Sequence, residues 1–337
     1  MAQERLVAVS YPVDGEYTAI NADVLGDLAT VSFTDGMPED ERADVLRQAE
    51  ALIGLRLQRE VPAGTLQSTP GLRFIQLLSA GLDTVDFDAI APDIIVAGNV
   101  GAYAHPIAEH VMAMVLSLAK RLPQENAALA RGEWNRGEGD RAIPNATLDG
   151  AVCAILGYGG IGRASARLMR AFGARIHAIN SSGHTDDPVE FCGTLADLDR
   201  VLAAADVLVI GIPLTAGTRD LIGARELGLM KDSAILVNVA RGAIVDEQAL
   251  YEHLLANPGF SAGIDAWWDE PRGGAPFRTN YPFFELPNLL GSPHNSGDVP
   301  GIMYYAARQA AGNVRRYLLG DAVSGVARRE DYAKLPR

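Results

Sequence analysis

Between Leu156 and Gly162 the chain reads LGYGGIG: a strand-like run, AVCAIL, breaks into glycines spaced G-x-G-x-x-G and then enters an amphipathic helix. No other feature limits the possible folds as strongly. At that spacing Gly157 permits a tight turn, Gly159 lets backbone approach a pyrophosphate, and Gly162 lets the helix close on the strand. N–H groups at the helix start then face the phosphates. A second strand-like run, RIHAIN, ends where the ribose of a dinucleotide would lie. The motif nevertheless begins near the middle of a 337-residue chain, so a substantial structure precedes it.

That preceding part alternates β-rich and helical runs: LVAVS, helix 17–27, ATVSF, helix 39–49, ALIG, RFIQLL and IIVAG. Alternation of this kind predicts a parallel sheet with crossover helices. HPIAEHVMAMVLSLAKRL follows, apolar around most of its circumference, as in a domain-bridging or subunit-contacting helix. After the polar GEWNRGEGDRAIPNATLDG the alternation resumes: AVCAILG, helix 161–172, RIHAIN, helix 195–204, DVLVIGI, AILVNVA, helix 246–256, SAGIDAW and NLLGS. A last helix, about 300–319, has no sheet of its own, and packing it on the first unit would make that unit discontinuous. The expected fold class is α/β, with two Rossmann-like doubly wound parallel-sheet domains.

A net charge of −13 disfavours nucleic acid and anionic membranes as partners. Two cysteines cannot make a disulfide framework, and Cys153 within an apolar strand reads as a quiet core thiol. No run approaches the roughly 18 apolar residues of a membrane span, and Glu4 and Arg5 precede the first apolar run, unlike a secretory signal. A cytoplasmic protein without a metal site is expected.

At the end of the second strand, a cofactor lacking a 2′-phosphate usually meets an acidic residue. This chain has Asn180, Ser181, Ser182, Gly183 and His184. Without a carboxylate there is no repulsion of a 2′-phosphate, and serines and histidine can donate to one. NADP(H) is favoured on this ground, with NAD(H) possible, since no arginine stands beside the serines.

Seven stretches follow in order: LLSAGLDTVD, IAEHVMAMVL, LGYGGIG, IPLTAGTRDLI, VNVARGAIVDEQAL, GIDAWWDEP and GSPHNSG. Through them the chain resembles the D-isomer-specific 2-hydroxyacid dehydrogenase family over nearly its whole length. The resemblance implies a discontinuous substrate domain, 1–102 plus 296–337, and an inserted dinucleotide-binding domain, 103–295. This explains the late glycine turn. It also implies a homodimer and an enzyme passing a hydride between NADP(H) or NAD(H) and a 2-oxo acid/D-2-hydroxy acid pair, glyoxylate- or hydroxypyruvate-like or larger. Two other readings keep the scaffold: a dehydrogenase of another hydride donor, such as phosphite, and a nucleotide-sensing, corepressor-like binding protein.

The chemistry of a 2-oxo acid asks for a cation, a proton donor and a group that tunes the donor. Arg241, after AILVNVA, can clamp a carboxylate through its fork of donors. His294 can exchange a proton with the carbonyl oxygen, and Glu270 can hydrogen-bond the other imidazole nitrogen. These residues stand at the family's Arg, Glu and His positions, which the resemblance assigns to carboxylate binding and carbonyl polarisation, histidine tuning and acid/base work. Formate-oxidising relatives carry glutamine at the Glu270 position, which favours a hydroxyacid substrate.

By the same resemblance, backbone N–H groups around Ala80 and Gly81 hold the substrate carboxylate with Arg241, and His105 stands at the pocket wall. The cofactor site takes in Gly157, Gly159, Gly160, Ile161, Gly162, Asn180, Ser181, Ser182, Pro213, Thr218, Ala240 and Asp265, the last near the nicotinamide carboxamide. His110 reads as a packing residue. Two departures bear on substrate size. Trp267 and Trp268 replace a smaller apolar pair and either shape the pocket or fill a gap against the bridging helix, with core filling the first reading. The segment after Glu270 is several residues longer than the family's common form, and Arg272 and Arg278 make it either a mobile cover or a plain surface loop.

Overall fold

The computed structural model describes residues 5–134, 143–271 and 273–332. The chain starts with β1 (Leu6–Val9), α1 (Gly15–Leu25), β2 (Thr30–Phe33), α2 (Glu39–Gln48), β3 (Ala51–Gly54), α3 (Leu57–Glu60), β4 (Phe74–Leu77) and β5 (Ile95–Ala97). There follow α4 (Ala104–Ala119), α5 (Leu122–Ala130), β6 (Val152–Leu156), α6 (Gly160–Ala171), β7 (Arg175–Ile179), β8 (Phe191–Gly193), α7 (Leu198–Ala204), β9 (Val207–Ile210) and α8 (Ala224–Leu229). Last come β10 (Ile235–Asn238), α9 (Glu247–Ala256), β11 (Ser261–Ile264), β12 (Leu289–Gly291) and α10 (Ile302–Leu319).

The first sheet runs β2-β1-β3-β4-β5, with every neighbouring pair parallel. β3 and β4 are buried along their whole length, as parallel strands covered on both faces must be. On one face Ala307, Ala310, Ala311, Val314 and Leu318 of α10 pack with Val7, Val9, Ile53 and Phe74. The small alanines at helical spacing let α10 lie close to the strands. On the other face Leu46, Leu52, Leu72 and Ile75 form a second core. Two units result: Met1–Tyr103 with Val299–Arg337, and Ala104–Asp298.

The sheet of the second unit runs β12-β11-β10-β9-β6-β7-β8, again parallel throughout. From β8 through β7, β6, β9 and β10 to β11 this is the doubly wound order 3-2-1-4-5-6, with β12 added at one edge. The order reverses between β6 and β9. Ligands of open α/β sheets bind at such a switch point, beyond the carboxyl ends of the strands. The apolar circumference of α4 is explained within this unit: Ala104 and Ala108 pack against Ala164 of α6, and Met114 lies against Gly263 of β11.

Cys153 is fully buried, and burial, with a smaller contribution from the charge of Asp206, pushes its thiol up to about 12. Four elements have no counterpart in the periodicity of the sequence, the four-residue α3 among them. β8 is a three-residue, partly buried edge strand, too short to show a period. α5 follows a break at Arg121, whose φ is 52°, and α8 spans six residues with one buried side chain.

Candidate active site

The glycine turn leaves the carboxyl end of β6, beside the switch point. Gly157 has φ 102°, and a Cβ there would come within 2.6 Å of the Gly211 backbone. A Cβ on Gly162 would lie 2.3 Å from the Gly157 carbonyl oxygen, so the third glycine is what lets α6 sit on the turn. Around a Cβ on Gly159 there is nothing within 4 Å. Gly159 is also the N-cap of α6 and makes no side-chain cap hydrogen bond, so the first N–H groups of the helix, at Gly160, Ile161 and Gly162, have no intrahelical acceptor. Open space against a bare helix start fits a pyrophosphate.

At the end of β7 the Asn180 side chain turns into its own loop. Its Oδ1 accepts from Ser182 N (3.1 Å), Ser182 Oγ (3.1 Å) and Gly183 N (2.7 Å), and its Nδ2 donates to the His184 carbonyl (2.8 Å). Asn180 therefore shapes the loop that carries Ser181 and Ser182. Arg163, directly after the glycine motif, pairs with Asp187 at 2.6 Å and ties this loop to α6. Thr218 plays a similar part after β9: its hydroxyl donates to the Pro213 carbonyl at 2.7 Å and accepts from Thr215 N at 2.8 Å.

Arg241 follows β10, Asp265 follows β11 and His294 follows β12, so all three leave the same edge of one parallel sheet. His294 Nδ1 and Glu270 Oε1 are 2.6 Å apart. Burial pushes the Glu270 carboxyl up, but the hydrogen bond and charge of His294, the Trp267 N–H and the charge of Arg241 outweigh it and hold it below its ordinary value. Glu270 is thus a carboxylate at neutral pH, which makes Nδ1–H the donor of the pair and leaves Nε2 as the nitrogen that can gain and lose a proton. Arg241 Nη1 donates to the Ala240 carbonyl at 2.7 Å, and Asn238 fixes the start of that loop by accepting from Ala240 N at 3.0 Å and donating to the Arg241 carbonyl at 2.9 Å.

His294 has φ 51°, an uncommon backbone for a non-glycine residue that persists only when its surroundings hold it. Asp265 supplies much of that hold. Its carbonyl accepts from His294 N (2.9 Å), while its carboxylate accepts from Ser292 Oγ (2.5 Å), Asn295 N (3.1 Å) and Ser296 N (3.2 Å). Burial pushes this fully enclosed carboxyl up, yet Ser292, Ser296 and the charge of His110 keep it below its ordinary value. Because Ser292 spends its one hydroxyl proton on the carboxylate, His110 Nε2, 2.9 Å from Ser292 Oγ, is the donor to that oxygen. His110 on α4 is therefore a hydrogen-bonding residue of this network and not simple packing.

His105, at the start of α4, faces Arg167 Nη2 at 3.4 Å. Ala80 and Gly81 belong to the first unit, just past β4, where the Ser79 hydroxyl donates to the Gly81 carbonyl at 3.1 Å. Trp267 is 6% exposed and donates from Nε1 to the Ser292 carbonyl at 2.8 Å. Trp268 stacks on Phe283 at 5.4 Å and donates to the Val245 carbonyl. The segment after Glu270 is pinned over part of its length: Phe283 is fully buried and Asn280 hydrogen-bonds Glu247. Arg272 lies outside the described residues, which include no cluster of His, Cys, Asp and Glu able to hold a metal ion. Ser292 and Arg163 were passed over in the sequence, although each stands beside a motif residue.

A glycine turn at the switch point of a 3-2-1-4-5-6 sheet defines a Rossmann-type dinucleotide-binding unit. The sequence profile of the D-isomer specific 2-hydroxyacid dehydrogenase NAD binding domain matches residues 112–296. The chain is 33% identical over 294 residues to a glyoxylate/hydroxypyruvate reductase B of Pectobacterium atrosepticum, covering 86% of this chain and 89% of that one. It is 29% identical over 307 residues to a D-3-phosphoglycerate dehydrogenase of Methanocaldococcus jannaschii, covering 90% of this chain and 56% of that one; it spans little more than half of such relatives. The fold matches the solved D-isomer specific 2-hydroxyacid dehydrogenase of Xanthobacter autotrophicus Py2, in complex with NADPH and MES, with a TM-score of 0.77 and 24% identity, over 98% of this chain and all of that one. The chain belongs to the D-isomer specific 2-hydroxyacid dehydrogenase family.

Proposed function

We propose that this chain is a cytoplasmic enzyme that interconverts a 2-oxo acid and its D-2-hydroxy acid with NADP(H) or NAD(H). The observation that carries the reading is the 2.6 Å His294–Glu270 hydrogen bond at the same sheet edge as the glycine turn and Arg241. In the direction of reduction, His294 Nε2–H gives its proton to the carbonyl oxygen while Glu270 stabilises the imidazolium through Nδ1–H. In oxidation the neutral Nε2 takes the hydroxyl proton. Arg241 pairs with the substrate carboxylate and draws electron density toward the carbonyl oxygen, and the backbone N–H groups around Ala80 and Gly81 are assigned to the same carboxylate. A bound nicotinamide supplies or accepts the hydride. Gly159, Gly160, Ile161 and Gly162 would hold its pyrophosphate through backbone N–H groups, and Asp265 is assigned to the side of its carboxamide.

NADP(H) is the favoured cofactor because β7 ends without a carboxylate and its loop exposes Ser181, while the Ser182 hydroxyl is turned to the Asn180 amide. The Asn180 hydrogen bonds support an indirect part for that residue, holding the serines in place. A homodimer comes with the family resemblance and is checked by light scattering. The function is tested by oxidation of NADPH and NADH with glyoxylate, hydroxypyruvate, pyruvate and bulkier 2-oxo acids, with Arg241→Ala and His294→Ala beside the wild type. Turnover that disappears in both variants is expected. Turnover surviving His294→Ala overturns the assignment of the proton carrier, and a preference for NADH overturns the cofactor assignment alone.

A further inference from the structure

Beside the His294–Glu270 pair, wholly within the second unit, lies a cavity of about 340 Å³ whose walls include Trp267, Phe277, Phe284 and Pro293. The three rings make one aromatic box. Trp267 and Phe277 meet edge to face at 5.0 Å, Trp267 and Phe284 stack at 5.4 Å, and Phe277 and Phe284 meet edge to face at 6.0 Å. Trp267 lies just past β11, and Phe277 and Phe284 lie in the segment that joins β11 to β12. Gly291 makes the fit possible, since a Cβ there would come within 2.7 Å of the Trp267 ring.

The indole turns its only polar group away, to the Ser292 carbonyl, and the Ser292 hydroxyl is spent on Asp265. No lysine or arginine is among the described lining residues, and the Glu270 carboxylate stands at one wall. A second anionic group placed here would lose its water and meet a like charge. Phe277 and Phe284 stay 41% and 62% exposed, so apolar surface borders the two groups that handle the substrate carbonyl. The volume lies at the small end of the roughly 300–1,000 Å³ range of small-molecule sites, enough for a ring and a methylene.

We infer that this box receives the side chain of the substrate, and that the preferred substrate is a 2-oxo acid bearing an uncharged aromatic group at C3, in place of a very small or phosphorylated one. The inference rests on the 2-oxo acid reading above.

The test compares kcat/KM for phenylpyruvate, glyoxylate and 3-phosphohydroxypyruvate in the wild type, Phe277→Ala and Phe277→Leu. Phenylpyruvate is expected to exceed both other acids by about tenfold or more, and Phe277→Ala to lower the phenylpyruvate-to-glyoxylate ratio about 10- to 100-fold, with Phe277→Leu recovering part. A wild-type ratio at or below unity, or the same ratio in a folded Phe277→Ala, overturns the inference. If no acid is reduced at all, the proposed function has failed, and calorimetry with D-phenyllactate and D-lactate decides the pocket separately. Tighter binding of phenyllactate that Phe277→Ala abolishes supports it; equal or no binding of the two acids overturns it.

Discussion

At the carboxyl end of β6 the binding geometry is made by what is missing, whereas at the ends of β11 and β12 it is made by what is present. The glycine turn uses no side chain: Gly157 and Gly162 are pressed against backbone, and Gly159 opens onto space. The His294 loop is a lattice of side chains, with Asp265 gripping Ser292, Asn295 and Ser296 and with His110 and Glu270 on either side. A glycine turn fails by gaining an atom. A side-chain lattice fails by losing one, and its members are drawn from distant parts of the chain.

The contrast is sharpest at His294. Substituting alanine there is expected to lower kcat by about 10²- to 10⁴-fold, the usual contribution of a general acid, while NADPH affinity measured by fluorescence stays within about twofold of wild type, the margin set for no change. A comparable fall in cofactor affinity would mean that the two regions are not separable.

Next in size is a pair of glycine variants. Gly162→Ala must displace the Gly157 carbonyl and is expected to cost about 1–3 kcal/mol of stability, together with most of the cofactor affinity. Gly159→Ala meets no atom, so its Tm should match the wild type while NADPH binding weakens about tenfold, because the added Cβ holds the pyrophosphate off one backbone N–H. An equal Tm loss in both would show that the open space at Gly159 does not separate binding from folding.

Ser292→Ala removes the hydroxyl that joins His110 to Asp265 and leaves the carboxylate one donor short. It is expected to lower kcat several-fold, about 1 kcal/mol of positioning, with less change in KM, and Ser292→Thr should restore most of the loss. Equal kcat in Ser292→Ala and wild type would reduce the network to packing.

The smallest effect is on acid stability. The Glu270 carboxyl lies below its ordinary value in the folded chain, so the unfolded chain binds the proton more readily. The stabilisation is complete above the ordinary carboxylate range and is lost as pH falls through that range toward the folded value. Glu270→Gln should therefore show a shallower decline of Tm between about pH 6 and pH 3, and a decline as steep as the wild type's would remove Glu270 from the acid transition.

Much of the fold was legible because its signals are local. The G-x-G-x-x-G spacing and the strand–helix alternation each lie within a few dozen residues, and both parallel sheets follow from them. The three-residue β8 carried too little pattern to be seen. At the site, Arg241, Glu270 and His294 could be named from their motifs, but the partners that orient them could not all be. Ser292 and His110 are 182 residues apart, and no periodicity reports such a pairing. Asn180 shows the converse case: its place in the sequence points to the cofactor, while its amide is committed to its own turn.

The return of α10 to the first sheet has a consequence for how the chain is made. Val7, Val9, Ile53 and Phe74 leave the ribosome well before the helix that covers them, which follows only after Ala104–Asp298 has been synthesised. At about 5–20 residues per second that apolar face waits on the order of ten seconds or more with its cover untranslated, while the second unit, continuous in sequence, can close around its own sheet. During that interval the nascent first unit is the part of the molecule that a chaperone would have to shield.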